Sequence, residues 1–127
     1  AGGFEADDTS PALQEDHALL WKHSRVLSDF EQFWNKPFDL EEFARRHGMS
    51  SSTLYRNFIR LQGKSPLEYL LELRIARAAE LLARTDSPVA AVAAAAGFRD
   101  SNYFARCFRQ RMGISPSGYR KRGGSPA

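Results

Sequence analysis

Asn102, Arg106 and Arg109 stand four and three residues apart in the segment GFRDSNYFARCFRQRMGISPSGYR, residues 97–120. On a helix turning about 100° per residue, all three fall within about 40° of the point opposite Phe104, whereas Phe108 falls about 40° from Phe104 itself. One face is therefore aromatic and suited to burial. The other presents an amide and two guanidinium groups. Arginine can bond guanine O6 and N7 together, and asparagine can do the same to adenine N6 and N7. The outward set thus has the chemistry to read base edges in a major groove. Ala105, on the flank, can offer only an apolar contact such as to a thymine methyl, and Ser101 lies nearby. A single arginine is more often a solvated surface side chain than a reader, so position has to decide.

Position is supplied by a repeat. At an offset of 50, residues 52–70 and 102–120 pair Leu54 with Phe104, Arg56 with Arg106, and Phe58 with Phe108. The same offset pairs Gly63 with Gly113, Ser65 with Ser115, Pro66 with Pro116, and Tyr69 with Tyr119. Upstream the offset becomes 49, pairing Leu40 with Val89, Phe43 with Val92, Ala44 with Ala93, and Gly48 with Gly97. The change falls in the turn after the glycine, where an insertion is best tolerated. In the first copy Leu54 and Phe58 face inward, Ser52 and Arg56 face outward, and Tyr55 flanks them. Arginines at equivalent places in a duplicated unit outweigh the solvated-surface reading.

The elements that must hold these faces follow from caps and stops. Asp39 can cap a helix from Leu40 to about His47, and Gly48 suits a left-handed stop. Ser50 or Ser51 then caps a helix to about Gln62, ended by Gly63. The second copy has Ser87-Pro88, a helix to about Ala96, Gly97, Asp100 as cap, and a helix to about Met112. Two short helices around a glycine turn form the helix-turn-helix layout. The helix starts near Ser51–Ser52 and Ser101–Asn102 offer N–H groups to a phosphate. Between the copies, Ser65, Pro66 and Glu68 form a capping box. Leu67, Leu70, Leu71, Ile75, Ala78 and Leu82 then keep helical spacing to about Arg84. Such a helix spans roughly 27 Å and is expected to hold two units apart as a strut. Upstream, Leu19, Leu20, Val26, Leu27, Phe30, Phe33 and Trp34 predict one or two helices between Ala12 and Asn35, stopped by Pro37. Trp21 and Trp34 read as core residues, Tyr69 and Tyr119 as packing beneath the prolines, and Cys107 as a small buried residue.

Charge sharpens the picture. Residues 1–42 carry ten acidic and three basic residues, a net −7, whereas residues 43–127 carry fifteen basic and five acidic, a net +10. The basic part attracts polyanions. One cysteine leaves no internal disulfide and no thiolate zinc cluster, which fits a cytoplasmic setting. His17, His23 and His47 lack ligand spacing, so neither a metal nor any other cofactor is expected. No nucleophile–base pair, phosphate-cradling loop or carboxylate pair stands out, and an enzyme is not expected. No apolar run is long enough to span a membrane. The N-terminal AGGFEADD is not a secretory signal, and the chain reads as a fragment.

Residues 38–121 resemble the DNA-binding domain of the AraC/XylS transcription regulators. Residues 97–120 carry the signature: Gly-Phe, a polar residue, an aromatic pair, Arg, Phe, basic residues, Gly, Ser-Pro and Tyr-Arg. Arg109 departs where lysine is frequent, and Arg99 where a small polar residue is common. The resemblance implies an all-α fold of about seven helices, with two helix-turn-helix subdomains joined by a long linker helix. The boundaries expected are an acidic segment 1–11, a first subdomain 12–64, a linker helix 65–85, a second subdomain 86–122, and a tail 123–127. The two ends are expected to be mobile. By position, Ser52, Tyr55, Arg56, Ser101, Asn102, Ala105 and Arg106 would contact bases. Ser51, Thr53, Tyr103, Arg109, Lys121 and Arg122 would contact phosphates. Double-stranded DNA is the implied partner, with RNA polymerase touched by an activator in a bacterium. An effector or dimerisation domain would lie outside this fragment. The rival reading is a helical protein-interaction module of the same fold without DNA binding; basic residues on both outward faces argue against it.

Overall fold

Short polar side chains and glycines set the limits of each helix. The computed structural model describes residues 11–124, so residues 1–10 and 125–127 of the expected mobile ends lie outside the described residues. Helix α1 covers Pro11–Phe33 as one element. Asp39 then accepts the Glu41 amide and starts α2, Leu40–Arg46. Ser50, rather than Ser51, caps α3, Ser51–Gln62, by accepting the Thr53 amide at 3.2 Å. Ser65 accepts the Glu68 amide at the head of α4, Pro66–Arg84. Helix α5, Val89–Ala95, follows Pro88 with no side-chain cap. Asp100 caps α6, Ser101–Met112, and Ser115 caps α7, Pro116–Lys121. Gly63 and Gly113 close α3 and α6 at φ +79° and +76°, a region that costs any side-chain-bearing residue strain. Every regular element among the described residues is a helix.

Two cores result, and α4 feeds both. Val26, Phe30, Phe43, Ala44, Leu54, Phe58 and Leu70 form the first. Phe30 stacks on Phe43 at 4.6 Å between centroids and meets Phe58 edge-on at 5.8 Å. The second gathers Leu71, Ile75 and Ala78 of α4 with Val92, Ala93, Phe104, Phe108 and Tyr119. Adjacent residues of a helix point about 100° apart, so Leu70 enters one core and Leu71 the other. Past α7, Gly124 turns back and donates to the Tyr119 carbonyl at 3.0 Å.

Three expectations need correction. The linker is not a strut that keeps the units apart. They touch, because Trp34 packs against both cores and Asn35 reaches the Ala95 carbonyl at 3.4 Å. Trp21 is not a core residue: it is 69% exposed, and Leu20 and Phe33 are exposed too. The inward stripe of α1 runs through Leu19, His23, Val26 and Phe30 towards Trp34 just past its end, and Trp21 lies about 200° around from Leu19. Leu67 shares the spacing of the α4 stripe but is 51% exposed: its neighbour Pro66 is buried, whereas Leu67 faces an open cleft beside Phe38.

Candidate nucleic-acid interface

Helices α3 and α6 bury matching faces and expose matching faces. Leu54 and Phe58 go inward from α3; Phe104, Cys107 and Phe108 go inward from α6. Ser52, Tyr55 and Arg56 are exposed on α3, as are Ser101, Asn102, Tyr103, Arg106 and Arg109 on α6. Ala105, Ser51 and Thr53 are half-buried, and Lys121 and Arg122 are exposed at the end of α7. The helical wheel therefore sorted the buried and exposed faces of both helices correctly. Among the described residues, Arg56, Arg106, Arg109 and Lys121 form no salt bridge, because the ion pairs lie elsewhere. Their charges are available to an anionic partner.

The two outward faces differ in detail. The Arg106 guanidinium lies 5.8 Å from the centre of the Tyr103 ring, which itself sits 5.9 Å from Phe98. A cation over an aromatic face is held by the ring quadrupole, so Arg106 is partly preorganised. The Tyr103 hydroxyl stays protonated: its hydrogen bond with Cys107 and then burial push its pKa above the usual phenol value. The helix starts also differ. Asp100 takes the Asn102 amide at 2.8 Å and sets a carboxylate there, which opposes a phosphate. The cap of α3 is the neutral Ser50, bonded to both the amide and the hydroxyl of Thr53. Of the two starts expected to hold phosphate, α3 is the better suited.

Behind these faces lie polar contacts that sequence reasoning missed. Arg74 is only 8% exposed, and its guanidinium donates to three backbone carbonyls. The signal was present: Arg74 stands four residues after Leu70 and four before Ala78, within the apolar stripe of α4. His47 donates to Asp29 at 2.8 Å, and His23 donates to Gln62 at 2.9 Å, tying α1 to α2 and α3. Among the described residues, no cluster of His, Cys, Asp or Glu could hold a metal. No helix there is long and apolar enough to cross a membrane. Between the two units an open cleft of about 590 Å³ brings Phe38 and Leu67 alongside Arg99, Tyr103 and Arg106.

Comparison with known proteins agrees with this geometry. A model described as a helix-turn-helix domain matches residues 43–122. The HTH-type transcriptional activator RhaR of Pectobacterium carotovorum subsp. carotovorum is 42% identical over 122 residues, covering 96% of this chain and 42% of that protein. The chain spans about two fifths of the length of the RhaR relatives it matches. The DNA-binding domain of the global transcriptional factor AdpA, solved in complex with a target DNA, superposes with a TM-score of 0.75 at 34% identity. That match covers 78% of this chain and 89% of the AdpA chain. A transcriptional regulator of the AraC-type DNA-binding domain-containing proteins from Chromobacterium violaceum gives a TM-score of 0.76 at 28% identity. It covers 87% of this chain and 99% of its own.

Proposed function

This chain belongs to the AraC family of helix-turn-helix DNA-binding domains, and we propose that it reads a specific duplex sequence with α3 and α6 in successive major grooves. It is a binding domain and not an enzyme. The observation that carries the reading is the pair Arg56 and Arg106. They occupy equivalent places in the repeat, stand exposed, and lack a carboxylate partner among the described residues. Base edges then meet Ser52, Tyr55 and Arg56 from one helix, and Ser101, Asn102, Ala105 and Arg106 from the other. Ser51, Thr53, Tyr103, Arg109, Lys121 and Arg122 take phosphates. The intact protein regulates transcription in a bacterial cytoplasm, as an activator that contacts RNA polymerase. An effector or dimerisation domain lies in the part outside this chain, consistent with the two-fifths coverage of RhaR.

The test is a salt titration of duplex binding after selecting sites from a random pool. Phosphate contacts release counterions, so affinity should fall steeply as salt rises. The selected sites should contain two segments about one helical turn apart. Absence of duplex binding at low ionic strength would reject the reading.

A further inference from the structure

Three backbone carbonyls converge on the Arg74 side chain in the middle of α4. Nε donates to the Trp34 carbonyl and one terminal nitrogen to the Lys36 carbonyl, each at 2.7 Å. Both acceptors belong to the segment between α1 and α2. The other terminal nitrogen donates to the Gly97 carbonyl at 3.1 Å, in the turn between α5 and α6. The acceptors therefore come from different helix-turn-helix units, and the arginine comes from the helix that joins them. A guanidinium presents its N–H donors in a rigid plane, so the carbonyls are held at fixed angles to one another.

The surroundings leave little slack. Gly97 has φ +91°, and a Cβ there would lie 3.0 Å from the Arg74 Nε and Cζ and 3.2 Å from the Asn35 Cα. Asn35 adds its bond to Ala95, and Trp34 packs on both cores. Burial pushes the Arg74 pKa below the ordinary guanidinium value; the carbonyl dipoles offset that cost. A buried charge must keep its partners, so neither unit can swing away without leaving the guanidinium short of acceptors.

We propose that Arg74 is a positioning residue that fixes the separation and angle of the two recognition helices, making this domain selective for the spacing of its two DNA segments. The proposal rests on the DNA-binding reading above. Two readers on a loose tether would accept a range of spacings, since the tether sets only a local concentration. Two readers locked at one joint would accept a single register.

Two measurements test it, one without DNA. Spin labels at Arg60→Cys and Gln110→Cys, both exposed on the outer helices, report the distance between α3 and α6, while buried Cys107 stays unlabelled. The parent domain should give a narrow distribution that broadens in Arg74→Met and in Asn35→Ala. Unchanged widths in the folded variants would overturn the proposal. The second measurement uses the selected duplex with one base pair added to or removed from its spacer. The parent should lose roughly tenfold or more in affinity, and Arg74→Met only roughly threefold or less. Arg74→Lys, which keeps donors at this place, should recover part of the preference. A sharp preference retained by Arg74→Met, or none in the parent, would sink the idea. If Arg74→Met fails to fold, Arg74→Lys carries both measurements, because a single ammonium cannot hold the three carbonyls in the guanidinium plane and should broaden the distances and blunt the spacer preference relative to the parent. Failure of the parent to bind any duplex would instead reject the DNA-binding reading, and the label distances would still decide the joint.

Discussion

Arg106 and Lys121 are both exposed cations, yet they should behave differently on DNA. Arg106 projects from the outward face of α6 with its guanidinium set over Tyr103, whereas Lys121 ends the short helix α7. Arg106→Ala should lose about 1–3 kcal/mol of discrimination at particular base pairs. Lys121→Ala should weaken every site alike and lower the salt slope by about one. Binding measured on the selected duplex and on a scrambled one separates the two; equal losses for Arg106→Ala would remove its base-reading role. At this scale the outward faces were legible because helical periodicity places Phe104 and Phe108 opposite Arg106. Arg74 was not, because the residue type argues for solvent while its acceptors come from segments distant in sequence. Only its place among Leu70, Leu71 and Ala78 marked it.

Between the helix starts, one charge distinguishes the two units. Asp100 caps α6 with a carboxylate, and Ser50 caps α3 with a hydroxyl. Asparagine caps a helix about as well as aspartate, so Asp100→Asn should leave stability within about 0.5 kcal/mol. It should also tighten binding to any duplex at low salt, since a phosphate near α6 no longer meets a like charge. Denaturant unfolding and a low-salt titration check the two halves; unchanged affinity would show that no phosphate approaches this start. Helix limits were readable in advance because caps and left-handed glycines act within a few residues. The outer side of α1 was not. Leu20, Trp21 and Phe33 are apolar by type, but which flank of a long helix is buried depends on where α2 and α3 land.

Across the whole molecule, the repeat announced two units but not how they meet. Their cores differ in kind. The first is centred on the rings of Phe30, Phe43 and Phe58, and the second adds the small residues Ala78, Ala93 and Ala96 to its own rings. The strut expectation came from the length of α4 alone, and length says nothing about neighbours that arrive from α1. Trp34 is the residue that records this meeting, because it packs against both cores with the Arg77 guanidinium 5.9 Å from its ring centre. The chain has only one other tryptophan, the exposed Trp21. Trp21→Phe should therefore leave a single tryptophan, at the seam, to be excited selectively over the tyrosines, at a cost within about 0.5 kcal/mol. If the units melt as one cooperative body, its emission and the far-ultraviolet dichroism should follow one transition. An earlier fluorescence change would reveal a species with intact helices and a parted seam. The indole placed between the two cores thus makes the domain its own optical gauge of whether its halves are joined.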